Sequence, residues 1–249
     1  MAFGWTLSRL LHFDCGHYLP LWLAGALCVY NVDRLKIDPA DAINTPERAR
    51  RCAQLRKAGT LIAAVSAGMI LAIPAWFHDW LLFFLALGGG LVCLNYSVPL
   101  LGFRFKEIPV VKTLFPPTIL TAAYFAPPII EQRLAPGLCL PAIAWAWCVL
   151  LFNMIICDLR DIEGDRTTGI RTLPVWLGVQ KTYRALILLL AVIGGLALWN
   201  GWLPAGILYC AALLVALRKP RGETFYEWWV EGILFVPLAV YALSVLWVP

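Results

Sequence analysis

Long runs of apolar residues separated by short polar segments dominate the chain. A helix needs roughly 20 apolar residues to cross a hydrocarbon core of about 30 Å, and we find eight runs that approach or reach this length. They cover residues 5–30, 58–77, 80–98, 109–130, 136–157, 183–200, 202–217 and 228–248. The pattern predicts an all-α fold: a polytopic membrane helical bundle of about eight transmembrane helices, in a single domain over residues 1–249.

Two of the eight runs are weaker than the others. His12, Asp14 and His17 interrupt the first, and the seventh is short. Composition supports a membrane protein all the same, because 61% of the residues are hydrophobic and only 14% are charged. Soluble domains carry about 25% charged residues.

The basic residues lie almost entirely on one side of the predicted membrane. Eight spans alternate the connecting segments between two sides, and one side receives 31–57, 99–112, 158–184 and 217–227. These four segments hold 18 of the 20 Lys and Arg residues. Under the positive-inside rule that side is cytoplasmic, and both termini face outward. The net charge of +5 is therefore interpreted as a topology signal, and nucleic-acid binding is not expected.

The eight cysteines form no CxxC pair. Most lie in apolar runs, where cysteine behaves as a small hydrophobic residue, so we predict neither a disulfide framework nor a zinc site. The first 30 residues do not have the pattern of a cleaved signal peptide.

An acidic loop, "CDLRDIEGDRTTGIRTLP", directly follows the fifth apolar run. If the preceding helix continues into it, Asp158, Asp161 and Asp165 lie at i, i+3 and i+7 on one helical face. Clustered carboxylates at a membrane edge need a positive partner. Mg²⁺ suits them because it prefers oxygen ligands and is often shared with substrate phosphates. Arg166 and Arg171 supply charge for phosphate oxygens. The alternative is a solvated charged loop.

Another acidic loop, "YNVDRLKIDPADAINTPERAR", follows the first apolar run. Because it comes earlier in the chain, it is called the first acidic loop, and the loop after the fifth run is called the second acidic loop. The first acidic loop resembles the second in presenting spaced aspartates and then turning basic. Its polar candidates are Asn31, Asp33, Asp38 and Asp41, with spacings of five and then three between the aspartates. Two acidic loops on the same predicted side indicate that any chemistry faces the cytoplasm.

The segment "DLRDIEGDRTTGIRTLPVWLG" resembles the second aspartate-rich motif of the UbiA-type intramembrane prenyltransferase superfamily. That motif runs Asp-x-x-Asp-x-x-x-Asp and includes Gly-Asp-Arg, a Gly-Ile step and Thr-Leu. The segment "NYSVPLLGFRFKEIPVVKTL" is similar to the family's Tyr-Ser-x-Pro stretch, which carries basic residues near the diphosphate. The resemblance covers most of the chain and implies that Tyr96, Lys106 and Lys112 contact a diphosphate.

The first acidic loop departs from the family pattern, which is Asn-Asp-x-x-Asp-x-x-x-Asp. Asp33 and Asp38 do not share a helical face at this spacing, and Pro39 fits only a first helical turn or a break. Either a looser backbone gathers all three aspartates around a metal, or Asp33 and one other ligate it. The loop also follows the first predicted span, whereas the family has it after the second helix. An absent first helix is consistent with an outward N-terminus.

The resemblance implies transfer of an isoprenyl group from an allylic prenyl diphosphate to a hydrophobic aromatic or lipid acceptor, in a central cavity among the helices, with Mg²⁺ as cofactor. The implied catalytic residues are Asp33, Asp158, Asp161 and Lys106. The implied diphosphate contacts are Asn31, Arg34, Tyr96, Lys106, Lys112, Arg166 and Arg171. The implied metal ligands are Asp33, Asp38, Asp41, Asp158, Asp161 and Asp165.

Three alternatives stay open at this point. A membrane terpene cyclase of the same superfamily would act on a prenyl diphosphate without an acceptor. A transporter would use the acids as an ion path, but transporter acids tend to lie near the bilayer midplane. A binding protein without turnover is compatible with the altered first loop. No motif in the sequence specifies the acceptor or the prenyl chain length.

Overall fold

The computed structural model describes residues 2–16, 18–35, 38–131, 134–200, 205–219, 221–236 and 238–239, and within these ranges all secondary structure is helical. The α-helices are α1 Ala2–Leu10, α2 Tyr18–Leu35, α3 Pro39–Asn44, α4 Pro46–Gln54, α5 Arg56–Trp76, α6 Trp80–Ser97, α7 Val111–Ile130, α8 Pro136–Arg160, α9 Ile162–Thr167, α10 Leu173–Leu177, α11 Val179–Trp199, α12 Ala205–Ala216 and α13 Glu223–Phe225. A 3₁₀ turn, η1, covers Phe105–Glu107. After α13 the chain continues as a π-helical turn over Tyr226–Val230 and a 3₁₀ helix over Glu231–Phe235.

Five helices are long and apolar enough to cross a membrane, namely α5, α6, α7, the Cys139–Arg160 part of α8, and α11. They confirm the second to sixth apolar runs as helices and make the chain an integral membrane protein. Large apolar side chains such as Leu61, Val65 and Phe84 are exposed on α5 and α6, as expected for helices that face lipid. Within the described residues, neither the full count of about eight spans nor the central cavity is confirmed.

The prediction of a single first span was wrong. Residues 5–30 contain parts of two helices, and α1 has only 9 residues, too few to cross the bilayer. The break follows local chemistry, since Asp14 Oδ1 accepts a hydrogen bond of 2.9 Å from Gly16 N in an Asx turn. The first acidic loop therefore follows α2, and the absence of the family's first helix stays a prediction.

Parts of the last two runs lie outside the described residues. The apolar helix α12 has 12 residues and begins after the undescribed residues 201–204. The eighth run, predicted over 228–248, extends into the undescribed region from 240 onward. Its described part contains the end of the π-helical turn and the 3₁₀ helix.

Helix α8 forms the centre of the packing. It lies between α7 and α11, while α2 packs along α5. Phe152, Ile155 and Ile156 of α8 are almost fully buried, at the i, i+3, i+4 spacing of a core-facing helical stripe. Near the start of the chain, Phe3 of α1 stacks on Trp145 of α8 with 5.8 Å between ring centroids, which anchors the short α1 in the core.

The short helices bring the two acidic loops together. Helix α3, in the first loop, packs against α9, in the second. Both loops therefore lie at the same end of the helical bundle, as the sequence predicted.

Candidate functional site

Asn44 joins the two acidic loops through its side-chain amide. Its Nδ2 donates to the backbone oxygen of Asp161 at 3.0 Å, and its Oδ1 accepts from the backbone N–H of Gly164 at 2.8 Å. A Cβ on Gly164 would lie 2.5 Å from Asn44 Nδ2 and 2.6 Å from Ala40 O, so only glycine allows this approach. Sequence reasoning missed Asn44, although it lies only three residues after Asp41.

The second acidic loop does not form one continuous helical face. Helix α8 ends at Arg160, Asp161 occupies the turn, and α9 begins at Ile162. The Arg160 guanidinium holds the Asp161 carboxylate through Nε at 2.6 Å and Nη2 at 2.9 Å. Asp158 and Asp165 are both fully buried. Helix α8 does continue past Ile156, so Asp158 lies within it, but the turn at Asp161 interrupts the helix before Asp165. The predicted helical face is therefore not continuous, and Asp158 and Asp165 are the fully buried pair among the three carboxylates.

Two successive residues of α7 bind that pair. Thr113 Oγ1 donates to Asp158 Oδ2 at 2.5 Å, and Lys112 Nζ lies 2.5 Å from Asp165 Oδ1. Burial raises the pKa of Asp165 above its ordinary value, and the charge of Lys112 only partly offsets this. The remaining oxygens, Asp158 Oδ1 and Asp165 Oδ2, are buried with no partner of hydrogen-bond geometry.

Backbone geometry at the start of α7 fixes these two side chains. Val110 has φ +65, a left-handed conformation that is strained for a β-branched residue. Its N–H donates to Arg171 O at 2.8 Å. Thr113 Oγ1 also accepts from Leu173 N at 3.3 Å. The segment that follows α9 therefore holds α7 in register with the second acidic loop.

Asp33, at the end of α2, belongs to a second cluster. Its Oδ1 accepts from Ser97 Oγ at 2.5 Å and from Lys106 Nζ at 3.1 Å. Lys106 is 7% exposed, on the η1 turn, so its ammonium depends on carboxylate partners. The sequence predicted Asp33 and Lys106 at one site, and the structure brings them together.

Asp38 already has several partners of its own. It caps α3 by accepting from Ala40 N at 3.2 Å, and its Oδ2 lies 3.3 Å from Lys106 Nζ and 3.2 Å from Arg104 Nη1. Burial opposes its ionisation, but Lys106, the Ala40 N–H and Arg104 outweigh it and hold the pKa below its ordinary value. Pro39 is the first residue of α3, as its ring requires.

Asp41, by contrast, lines a small cleft of about 60 Å³. Burial and the nearby charge of Asp33 raise the pKa of Asp41. The cleft has room for about four water-sized molecules and is lined by Asp33, Arg34, Asp41, Thr45, Arg48, Ala49 and Cys52. It is a polar space on the first-loop side of the site and is too small for an isoprenoid chain.

Tyr96 lies near carboxylates of both acidic loops. Its ring stacks on Phe115 with 5.0 Å between centroids. The charges of four carboxylates from both loops, Asp33, Asp41, Asp158 and Asp165, act on its hydroxyl. The assignment of Tyr96 to the diphosphate site stays a prediction.

The remaining sequence candidates make other contacts. Asn31 donates to Leu27 O at 2.7 Å within its own helix. The Arg34 guanidinium lies 3.4 Å from the Tyr30 ring centroid and reaches the Asp41 cleft. Arg166 and Arg171 are exposed, so the structure does not bring their side chains into either cluster.

A divalent cation fits part of this donor set. No group of three or more His, Cys, Asp or Glu residues converges on one point among the residues that the structure describes. Mg²⁺, however, is normally held by one or two carboxylates plus phosphate oxygens and water. The unpartnered buried oxygens of Asp158 and Asp165 are the feature that fits such an ion, because a carboxylate oxygen buried without a partner is costly.

A last contact that the sequence did not predict ties α4 to the C-terminal segment. The Glu223 carboxylate accepts from the backbone N–H groups of Glu47 and Arg48, at 3.1 and 3.0 Å. Glu227 pairs with Arg51, and Glu231 lies 3.9 Å from Arg48. The three glutamates recur every four residues, which is the signal that a helix-face analysis of this segment would have detected.

Comparison with known proteins adds independent information. The chain is 33% identical over 223 residues to a digeranylgeranylglyceryl phosphate synthase of Thermococcus kodakarensis, covering 82% of this chain and 75% of that protein. It is 30% identical to the enzyme of that name from Thermococcus sibiricus, over 74% of this chain and 67% of the relative. It is also 30% identical to the chloroplastic chlorophyll synthase of Avena sativa, over 69% of this chain but only 44% of that protein.

No solved structure gives a significant match. The sequence profile of one family spans the helices described above, from α2 through the π-helical turn, over residues 23–229. The chain belongs to the UbiA prenyltransferase family.

Proposed function

We propose that this protein transfers an isoprenyl group from an allylic prenyl diphosphate to an aromatic or lipid acceptor, with the diphosphate bound where the two acidic loops meet. The observation that carries the proposal is the pairing of two carboxylate clusters with two lysines, of which Lys106 is buried and Lys112 is partly buried. Lys106 faces Asp33 and Asp38, and Lys112 faces Asp165.

The carboxylates divide into ligands and structural groups. Asp158 and Asp165 have oxygens without partners, and Asp33 and Asp41 line the polar cleft, so these four are the proposed Mg²⁺ ligands. Asp161 is held by Arg160 and joins them by exchanging that partner. Asp38 caps α3 and is the least suited of the six sequence candidates. Bound Mg²⁺ supplies Lewis-acid stabilisation of the negative charge on the departing diphosphate.

The lysines have two alternating partners in this proposal. Without substrate they neutralise the carboxylates, and with substrate their ammonium groups donate to phosphate oxygens, for which lysine is a common binder. Tyr96, near carboxylates of both loops, orients the diphosphate through its hydroxyl. The remaining candidates are peripheral contacts to the diphosphate in this proposal: Asn31, Arg34, Arg166 and Arg171.

The reaction is a substitution at the allylic carbon. Its C–O bond to the diphosphate breaks, and both electrons leave with the diphosphate. The acceptor supplies the electron pair of the new bond and loses a proton. The allylic cation must be kept from water, and aromatic faces stabilise it. Phe115 lies against Tyr96, while Tyr124, Phe125 and Phe152 lie deeper in the apolar core.

The names of the relatives favour transfer to an acceptor. Digeranylgeranylglyceryl phosphate synthase and chlorophyll synthase are named for products that join an isoprenoid to a lipid phosphate or to a pigment. The strong bias of Lys and Arg toward the acidic-loop side favours a cytoplasmic site.

Turnover by purified protein in lipid nanodiscs tests the proposal. With Mg²⁺ and geranylgeranyl or farnesyl diphosphate, we expect diphosphate release only when a lipid or aromatic acceptor is added. Release of cyclised hydrocarbon or alcohol without an acceptor would instead identify a cyclase. Asp158→Asn provides the inactive control. Mass spectrometry of lipid extracts from cells with and without the protein would then identify the acceptor.

A further inference from the structure

Helix α9 begins without a cap from its own chain segment. Asp161 occupies its N-cap position, but that carboxylate makes no capping hydrogen bond because Arg160 holds both of its oxygens. The N–H groups of the first helical turn have no acceptors inside the helix and are usually satisfied by the N-cap side chain. In α9 the acceptor comes from the other acidic loop, since Asn44 Oδ1 binds Gly164 N.

The same amide closes a second contact. Asn44 Nδ2 donates to Asp161 O. The one planar amide therefore bonds to two backbone groups of the second acidic loop, Asp161 O and Gly164 N. Asn44 is itself the last residue of α3, three residues after Asp41. A short rigid connection thus runs from Asp41, through the Asn44 amide, to Asp161 and Asp165.

We infer that Asn44 is a positioning residue, which sets the separation of the two acidic loops and thereby the affinity of the site for a divalent cation. By capping α9 in place of Asp161, it leaves the Asp161 carboxylate free to exchange Arg160 for a cation. Gly164 is its matched partner, because any Cβ there would displace the amide. The inference rests on the proposed function in that the cation is the one that accompanies the diphosphate.

The test uses Mn²⁺, whose binding is followed directly by electron paramagnetic resonance with inorganic pyrophosphate present and no prenyl substrate. Asn44→Leu keeps the approximate shape of the side chain and removes both hydrogen bonds. We expect its affinity for Mn²⁺ to fall at least tenfold. Asn200→Ala is the matched control, because it removes a single amide contact to Leu196 O at the far end of α11, and it should bind Mn²⁺ as the wild type does.

A conservative variant separates positioning from simple folding. Asn44→Gln keeps the donor and the acceptor of the amide on a longer side chain, so it should recover part of the Mn²⁺ affinity lost in Asn44→Leu. Turnover gives the second readout: the half-saturating Mg²⁺ concentration should rise in Asn44→Leu, while the rate at saturating Mg²⁺ stays close to that of the wild type. If Asn44→Leu does not fold, the Mn²⁺ affinity of Asn44→Gln, expected to be a few-fold below wild type, decides the question.

The outcomes distinguish this inference from the proposed function. A lower melting temperature in Asn44→Leu with unchanged Mn²⁺ affinity would overturn the inference, even if the wild type turns over prenyl diphosphate. A wild type that binds no Mn²⁺ would overturn it too. Loss of Mn²⁺ affinity in Asn44→Leu would support it even if the wild type releases no diphosphate from any prenyl substrate, in which case the proposed function alone fails.

Discussion

Lys112 and Asp165 form an ion pair in which Nζ lies 2.5 Å from a fully buried carboxylate. The pair joins α7 to α9, and a buried pair of this kind is strongly destabilised when only one member is removed. The pair is therefore a structural contact in the free protein as well as a proposed part of the diphosphate site.

Removing one member of this pair should cost more than removing both. We expect Lys112→Met to lower the free energy of unfolding by roughly 3–5 kcal/mol, because it leaves Asp165 without its counter-ion. The double variant Lys112→Met, Asp165→Asn should regain much of that loss and remain inactive. Chemical denaturation of the single and double variants, with exposed Lys181→Met as control, gives the coupling. Additive losses would contradict a direct pair.

Asp158 offers the clearest separation of activity from stability. Its Oδ1 is buried with no partner, and Asn at this position keeps an acceptor for Thr113 while removing the charge. We expect Asp158→Asn to melt at or above the wild-type temperature without ligand, because a residue that is kept for function often costs stability. We also expect it to have no measurable turnover. Wild-type turnover in Asp158→Asn would show that this carboxylate is not a cation ligand.

Thr113 donates a hydrogen bond to the buried carboxylate of Asp158. Thr113→Val should destabilise the protein by about 1–3 kcal/mol, since the buried Asp158 carboxylate loses the one hydrogen-bond donor that it has among the described residues. Thr60→Val is the control, because the exposed Thr60 hydroxyl donates at 2.9 Å to Arg56 O within its own helix, α5. Thermal melting of both variants checks the difference. Equal losses would show that the contact with Asp158 contributes nothing specific.

Lys106 should affect diphosphate binding more than folding. Loss of one charge-assisted hydrogen bond corresponds to about 1.5–3 kcal/mol. Lys106→Gln should therefore weaken binding of a non-hydrolysable prenyl diphosphate roughly 10- to 150-fold. Isothermal titration measures this, with Lys57→Gln on the exposed start of α5 as control. Unchanged affinity would remove Lys106 from the diphosphate site.

Glu223 makes a prediction independent of catalysis. Its carboxylate caps the start of α4, where an anion also meets the positive end of the helix dipole. Glu223→Ala should lower stability by about 1 kcal/mol and increase proteolysis between α12 and α13, whereas exposed Glu163→Ala should do neither. Identical digestion patterns would argue against the docking of α4 on the C-terminal segment.

The sequence predicted those parts of the molecule that depend on composition and residue type. Runs of apolar residues identified the five long helices. The spacing of carboxylates pointed to Asp158 and Asp165, whereas only the family resemblance pointed to Lys106 and Lys112, and the role of these four residues stays a prediction. The turn at Asp161 was not predictable, because it depends on contacts with Arg160 and Asn44 that form only after folding. Thr113 was missed since an isolated threonine in an apolar helix carries no signal. The division of the first apolar run into α1 and α2 could have been predicted only by giving the Asx turn at Asp14 more weight than the hydrophobicity of the run.

Val110 carries a wider consequence. Its left-handed backbone stores about 1–3 kcal/mol of torsional strain, and the two side chains that bind the second acidic loop follow it by two and three residues. The direction in which α7 presents Lys112 and Thr113 to the second acidic loop thus begins at a strained torsion. Glycine adopts a positive φ without this strain. A sequence with glycine at position 110 would therefore keep the same corner at a lower torsional cost, and α7 would stay in place through its packing on α8.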